Sequence, residues 1–376
     1  MSVEIQLKEY MRKLKVIISG GGTGGHIFPA LAIARAIEKK NSEIEFLFVG
    51  AIDRMEMQKI PSEGYKIIGL WISGLQRKIH WKNFLFPFKL IHSLFRSIKI
   101  INQFDPDFVI GTGGYASGPL LYIASRKGIP TIIQEQNSFP GITNRILGNY
   151  VQNICVAYDN MHRYFPKSKI IKTGNPIRKD ILSVNMGAGK KNDLFDISKS
   201  NPTVLVLGGS LGAKSINNAI ANNLHYISKL GINLIWQTGI AFSKKAHELI
   251  IDLNKPGIHS CDFIREMDKA YEVADIIISR AGAIAISELC CVGKPIILVP
   301  SPNVSENHQY KNAQSLVNKN AALMVEDTKS SCKLVKTLEE LINDKLLQSS
   351  LRRNIKKIAV NDAAERIAKI ALDLVK

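Results

Sequence analysis

Apolar residues in this chain fall into short β-rich runs, each leading into a glycine-bearing turn or a stretch with helical spacing. Residues 14–19 form one such run, 20–25 the turn, and 29–40 carry apolar positions on one helical face, predicting a strand-loop-helix unit. Residues 45–49, 108–110, 131–134, 154–157 and 170–173 predict further strands separated by helical stretches. This alternation means α/β architecture with parallel sheets covered on both faces. From 183 to 201 the composition shifts to Gly, Lys, Asn, Ser and Asp, and a second strand-loop-helix series opens at 203–207, followed by strands at 234–237, 276–279 and 296–300. We place a boundary near 175–178, giving domains 1–177 and 178–360. At the end, 361–376 sets Ala364, Ile367, Ala368, Ala371 and Leu374 on one face behind Asn361-Asp362, a docking helix whose host domain the periodicity does not decide. Two Rossmann-like domains of this kind bind ligands beyond the carboxyl ends of their strands, so the expected site is a cleft faced by both.

The chemistry begins in three glycine turns, Gly20-Gly21-Gly22-Thr23-Gly24-Gly25, Gly111-Thr112-Gly113-Gly114 and Gly208-Gly209-Ser210-Leu211-Gly212, each following a strand-like run. Glycine admits an anion close to the backbone, and a following helix start offers N–H groups and a positive dipole end. The pattern is not the Gly-x-Gly-x-x-Gly dinucleotide signature. His26 stands where the first turn becomes helix and is a candidate general base; capping or packing of the turn is the structural alternative. Residues 279–288 run from a strand end into a helix with small residues at its start, suited to a diphosphate, and Glu288 about one turn inside can accept hydrogen bonds from two ribose hydroxyls. Asp105-Pro106-Asp107 matches an Asp-x-Asp metal signature but precedes a strand, where it reads as a turn.

Composition narrows the partners. The 376 residues are 45% hydrophobic and 22% charged, ordinary for a globular chain, yet the formal charge is +18, so the surface seeks anions. Between residues 64 and 104 there is no Asp or Glu, while Lys66, Arg77, Lys78, Lys82, Lys89, Arg96 and Lys99 interleave with Trp71, Trp81, Phe84, Phe86, Phe88 and Phe95. We read this as a membrane-surface composition rather than a nucleic-acid one, with core packing claiming some phenylalanines. Trp81, Lys82, Phe84, Phe86, Phe88 and Lys89 are the expected contacts. Five cysteines without CxxC spacing fit a reduced, cytoplasmic setting. No run of about 18 apolar residues and no signal-peptide pattern is found, so the chain is expected neither to span nor to cross a membrane. Met11-Arg12-Lys13 directly precedes the first strand, making Met11 an alternative start, with a short amphipathic N-terminal helix the other reading.

Taken together, the first two turns with His26 and Tyr115-Ala116-Ser117-Gly118-Pro119, the segments Gln134-Glu135-Gln136-Asn137 and Gly174-Asn175-Pro176-Ile177-Arg178, the third turn and the Arg280–Glu288 stretch resemble the MurG family, glycosyltransferase family 28. The resemblance runs from about Lys13 to the C-terminal helix. It implies the GT-B fold, with the last helix (361–376) crossing back to the N-terminal domain, and inverting transfer of N-acetylglucosamine from UDP-GlcNAc to the C4 hydroxyl of lipid I at the cytoplasmic face of the membrane. By the same resemblance the C-terminal domain holds the donor: Ser210 at the phosphates, Ile264 beside uracil, Ala283, Ile284, Ala285, Ile286 and Ser287 around the diphosphate, Glu288 on the ribose, Gln309 near the sugar. Arg178, Asn137 and Thr23-Gly24-Gly25 would complete that site across the cleft.

The first two turns, through Gly21, Gly22, Gly113, Gly114 and Tyr115, would cradle the acceptor's diphosphate, with its undecaprenyl tail in the leaflet beneath the basic aromatic stretch. His26 is the candidate to take the hydroxyl proton, and Arg178 with the helix start near Ala283 would stabilise departing UDP without a metal. No cofactor is required on this reading, and divalent-ion stimulation stays open. Departures from the frequent family pattern are His308 for a Gln, Ala281 for a Ser, and Ile284-Ala285 for Leu-Thr. Rival readings are a diacylglycerol-type glycolipid transferase, a UDP-N-acetylglucosamine epimerase, and a non-catalytic nucleotide-sugar sensor at the membrane.

Overall fold

The structure, a computed structural model, describes residues 13–74, 84–182, 195, 197–198, 200–209, 211–304 and 307–375. The readings placed on residues 1–12 lie outside the described residues. The chain divides into two compact units, Met1–Ile177 with Asp362–Lys376, and Arg178–Asn361.

In unit 1, strands β1 (Leu14–Gly20), β2 (Ile44–Ala51), β3 (Lys66–Leu70), β4 (Phe108–Gly113), β5 (Thr131–Glu135), β6 (Asn153–Val156) and β7 (Ile170–Lys172) form a parallel sheet in the order β3-β2-β1-β4-β5-β6-β7. Its helices are α1 (Gly24–Lys40), α2 (Glu56–Ser62), α3 (Phe86–Phe104), α4 (Ser117–Arg126) and α5 (Ile142–Leu147). Unit 2 repeats the plan. Strands β8 (Thr203–Leu207), β9 (Asn233–Gln237), β10 (Ile258–Cys261), β11 (Ile276–Ser279), β12 (Ile296–Leu298) and β13 (Leu323–Met324) lie parallel in the order β10-β9-β8-β11-β12-β13. Its helices are α6 (Lys179–Leu182), α7 (Lys214–Asn222), α8 (Leu224–Ile227), α9 (Ile240–Leu253), α10 (Met267–Val273), α11 (Ala283–Val292), α12 (His308–Val317), α13 (Ser330–Asn343) and α14 (Lys345–Lys356).

The continuous apolar runs follow from double coverage. In β1, Val16 and Ile18 enter one core while Ile17 enters the core on the other face; in β8, Val204 and Val206 likewise oppose Leu205 and Leu207. Strand order reverses between β1 and β4 in one sheet and between β8 and β11 in the other. Those switch points are where open parallel sheets bind ligands, and the glycine turns follow β1, β4 and β8.

Strands β3, β10 and β13 went unpredicted. All lie at or next to a sheet edge, and polar Lys66, His259 and Ser260 interrupt the first two while β13 has two residues. Helix α1 begins at Gly24, ahead of the expected 29, and carries Pro29 inside it, so two glycines of the turn are helical. The last helix, α15 (Ala363–Asp373), packs on α1, burying Ala364, Ile367, Ala368 and Ala371 in one core with Ile33, Ala34 and Ile37. It belongs to unit 1, which settles the host that periodicity left undecided. Asp107 serves the turn into β4: its carboxylate accepts from the Lys15 amide at 2.7 Å while its own amide donates back to the Lys15 carbonyl at 2.8 Å.

Candidate active site

The first glycine turn is built around a carboxylate that the sequence reading missed. Glu56, fully buried at the start of α2, accepts from the Gly22 amide at 2.9 Å and from the Ala51 amide at 3.0 Å. Glycine at 21 and 50 makes room for it, since a Cβ there would come within 2.1 and 2.5 Å of its side chain. The Gly21 amide donates to the Gly113 carbonyl at 3.3 Å. Both amides expected on a diphosphate are therefore engaged inside the unit. The N–H groups of His26 and Ile27 turn back to the Thr23 carbonyl at 3.1 and 3.3 Å, so the donors that this helix start offers outward are those of Gly24 and Gly25.

His26 is half-buried, with Nδ1 2.8 Å from the Gly21 carbonyl oxygen and 3.4 Å from Thr23 Oγ1. A carbonyl only accepts, so Nδ1 carries a proton, which makes Nε2 the nitrogen that takes one whenever the ring is neutral. The second turn is shaped to admit this ring. Gly113 has φ +97°, and a Cβ on it would stand 3.0 Å from Nε2; Gly114 has φ +91°, and a Cβ there would stand 2.5 Å from the Gly21 oxygen. Thr112 Oγ1 donates to the His26 carbonyl at 2.8 Å. Tyr115 is half-exposed and lays its ring on the backbone at Gly74.

At the end of β5, Glu135 is buried and its carboxylate accepts from the Asn137 amide at 2.9 Å, Asn137 Nδ2 at 3.3 Å, the Gly141 amide at 3.3 Å and Asn144 Nδ2 at 2.9 Å. Burial pushes its pKa up, and these four bonds pull against that. Gln134 donates to Asn175 Oδ1 at 2.9 Å, Asn175 to the Gln136 carbonyl at 3.0 Å, and Gln136 to Gln134 Oε1 at 2.6 Å and to the Thr112 carbonyl. The Gln134–Asn137 motif is thus a polar knot that fixes Asn137 and ties the ends of β4 and β5 to Asn175.

In unit 2 the third turn closes tightly. A Cβ on Gly212 would meet the Thr238 carbonyl at 1.9 Å, and one on Gly208 the Ala213 nitrogen at 2.5 Å. Ser210 lies outside the described residues. Gln237 braces the turn, donating to the Gly209 carbonyl at 3.0 Å while its oxygen accepts from the Ile264 amide at 2.9 Å. Helix α11 starts at Ala283 behind Gly282, where an added Cβ would meet open space; Ala283, Ile284 and Ile286 are buried, Ala285 is half-buried, and Ser287 Oγ donates to the Ala283 carbonyl at 3.0 Å. Gln309, on α12, accepts from the Ser301 amide at 2.8 Å.

Glu288 is half-buried on α11, hydrogen-bonded to the buried Tyr271 hydroxyl. Burial raises its pKa to about 7, against the pull of Arg178 and with a push from Asp180. Arg178 Nη2 bonds Asp180 Oδ2 at 2.7 Å. The cluster of Arg178, Asp180, Tyr271 and Glu288 lies wholly within unit 2. Arg178, expected to help complete the donor site, is the first residue of unit 2 and stands beside Glu288, on the donor side of the boundary between 177 and 178.

The basic aromatic stretch ends in α3, which buries Ile100 and Ile101 in its last turns but Ser93 and Ser97 before them, Ser93 donating to the Trp71 carbonyl at 3.1 Å. Phe84, Phe88, Ile91 and Phe95 are 78, 67, 53 and 70% exposed. Phe86 is half-buried, and Trp81 and Lys82 lie outside the described residues. Lys89 donates to Ser73 Oγ at 2.9 Å with its ammonium 5.5 Å from the Trp71 ring centre. Among the described residues no helix is long and apolar enough to cross a membrane.

Two parallel-sheet units with glycine turns at both switch points, an imidazole at one and an open helix start with a buried-edge glutamate at the other, form the two-Rossmann architecture that the resemblance implies. The chain belongs to glycosyltransferase family 28: residues 16–156 match the family's N-terminal domain and 203–367 its C-terminal domain. It is 48% identical over 97% of its length to the UDP-N-acetylglucosamine--N-acetylmuramyl-(pentapeptide) pyrophosphoryl-undecaprenol N-acetylglucosamine transferase of Flavobacterium psychrophilum, covering 99% of that protein. It is 50% identical over 94% of its length to the Christiangramia forsetii protein of the same name, covering 96% of that one. The crystal structure of Acinetobacter baumannii MurG, 27% identical, superposes with a TM-score of 0.76 over 96% of this chain and 99% of that one.

Proposed function

We propose that this chain transfers N-acetylglucosamine from UDP-GlcNAc to the C4 hydroxyl of the lipid-linked MurNAc-pentapeptide acceptor, lipid I, forming lipid II at the membrane. The observation that carries the reading is near-50% identity to transferases of that name along almost the whole of both chains. Unit 2 takes the donor: the third turn and the α11 start face its diphosphate, Glu288 its ribose, Ile264 its base and Gln309 its sugar. Unit 1 takes the acceptor, whose diphosphate lies at Gly113, Gly114 and Tyr115; because the Gly21 and Gly22 amides are engaged, we move the Gly24 and Gly25 amides, which the resemblance assigns to the donor, to the acceptor. Asn137, which the resemblance assigns to the donor, is the side chain that the polar knot fixes within unit 1. The exposed phenylalanines of α3 enter the headgroup layer of the cytoplasmic leaflet among basic side chains, each contributing roughly 1 kcal/mol near an anionic surface.

The reaction is a single displacement. The C4 oxygen bonds to the anomeric carbon as the bond from that carbon to the UDP oxygen breaks, the electron pair leaves on the diphosphate, and the hydroxyl proton passes to His26 Nε2. Configuration inverts. The helix dipole and amides at α11 stabilise the charge that develops on UDP. The protein incubated with labelled UDP-GlcNAc and a short-chain lipid I analogue, with and without EDTA, should yield disaccharide and UDP in both conditions. Product only without EDTA would add a divalent ion to the site; tight UDP binding without product on this acceptor, but with product on diacylglycerol, would replace the acceptor reading.

A further inference from the structure

Arg280 stands three residues before α11, next to where the proposed function puts a diphosphate, and its charge invites assignment as a phosphate ligand. Its hydrogen bonds say otherwise. Nη1 donates to the Val299 carbonyl at 3.0 Å and to the Asp327 carboxylate, and Nη2 donates to Ser215 Oγ at 2.9 Å. Ser215 in turn donates to the same Asp327 oxygen, closing a three-membered ring of side chains. Arg280 and Asp327 are only 15 and 19% exposed, so neither is a solvated surface partner.

The ring joins four pieces of backbone. Ser215 is the second residue of α7, the helix that follows the third glycine turn; Arg280 fixes the segment entering α11; Val299 directly follows β12; and Asp327 opens the short helical turn Asp327–Lys329. The two helix starts bracketing the proposed donor diphosphate, α7 and α11, are thereby held to one another through one guanidinium. A planar fork with several donors in fixed directions can bridge three acceptors at once, which a lysine ammonium on a flexible stem does not reproduce.

We infer that Arg280 is a positioning residue for the donor site, acting with Asp327 and Ser215 to set the spacing of the α7 and α11 starts rather than contacting phosphate. The inference rests on the donor reading given above. It makes a prediction opposite in sign to simple electrostatics. Removing the negative charge of Asp327 close to an anion site should strengthen phosphate binding if charge alone mattered; if the ring sets geometry, Asp327→Asn weakens it.

The test measures UDP and uridine affinity by calorimetry for the full-length protein and for Arg280→Lys, Asp327→Asn and Ser215→Ala, with thermal unfolding recorded for each. Asp327→Asn and Arg280→Lys should each weaken UDP binding about tenfold, Ser215→Ala less, and uridine binding should hold within about twofold because the base contact at Ile264 and the ribose contact at Glu288, more than a turn inside α11, lie away from the helix starts that the ring spaces. The Arg280→Lys/Asp327→Asn double variant should be no weaker than the poorer single one, since both remove the same ring. Unchanged or tighter UDP binding by Asp327→Asn, additive losses in the double variant, or equal losses for UDP and uridine would each overturn the inference. Failure of the unaltered protein to bind UDP would instead overturn the donor reading, and the inference with it.

Discussion

The glycine turns after β1 and β8 occupy equivalent places in two sheets of similar plan, yet they are held in opposite ways. In unit 1 a buried carboxylate, Glu56, sits under the turn and takes the Gly22 amide, and the Gly113 carbonyl takes that of Gly21. In unit 2 the turn is braced by the neutral Gln237 and by close backbone packing at Gly208 and Gly212, while the negative Asp327 beneath α7 is matched by Arg280. The difference teaches where each kind of chemistry belongs. A turn whose amides are already taken from inside has none of them left for an anion outside, so unit 1 offers a ring nitrogen and a short arc of helix-start donors. Unit 2 presents its helix starts with the charge beneath them cancelled, the better arrangement for a diphosphate.

The strongest way to break that comparison is His26→Ala. If unit 1 supplies proton transfer and not donor affinity, turnover should fall about 10²- to 10⁴-fold while UDP affinity stays within about twofold. Steady-state kinetics beside calorimetry decides it; equal losses in both would remove the proton-acceptor role. Next in size is Glu56→Gln. An amide nitrogen must then face either the Gly22 or the Ala51 N–H, donor against donor, so stability should fall by about 1–3 kcal/mol, read as a lower denaturation midpoint. UDP binding should be unaffected, since the turn disturbed belongs to the other unit. A midpoint equal to that of the unaltered protein would mean that Glu56 fills space without bracing the turn.

What the sequence made legible follows the same division. The central strands were readable because burial on both faces writes an unbroken apolar run, as in Val16-Ile17-Ile18, while β3 and β13 lie at sheet edges with weaker patterns. His26 and Glu288 were readable as chemistry-bearing types beside glycines or on a helix facing apolar neighbours. Glu56 was not, because it stands 34 residues from the Gly22 amide it braces and only the sheet brings them together. The same distance hid Asp327 from Arg280, 47 residues away. Gly113 and Gly114 were legible as special, and the structure adds a reason that the sequence did not show: they admit the His26 ring and the first turn.

Third in size is Glu288→Ala. A carboxylate on two ribose hydroxyls makes charge-assisted bonds, and losing them should weaken UDP about tenfold, with 2′-deoxy-UDP already weak for the unaltered protein and little changed by the substitution. Equal loss for both nucleotides would move Glu288 off the ribose.

The smallest expected effect sharpens the comparison most, because it asks whether the donor unit senses pH on its own. Burial raises the Glu288 pKa to about 7, so near neutrality the empty site holds a mixture of acid and carboxylate. Only the carboxylate accepts from both ribose hydroxyls, so binding favours the ionised form and releases a proton on the acid side. UDP affinity should therefore rise with pH through about 6 to 8 and level off above, by less than tenfold per pH unit since one proton is involved. The stability of the empty protein runs the other way. A carboxyl with its folded pKa raised binds more protons folded than unfolded between its ordinary range and about 7, so its contribution to stability declines as pH climbs through that window. Calorimetry of UDP binding in buffers of different ionisation enthalpy reads the released proton directly, and Glu288→Gln should abolish it. A proton count that survives Glu288→Gln would place the titrating group elsewhere in unit 2 or on the nucleotide's own phosphate.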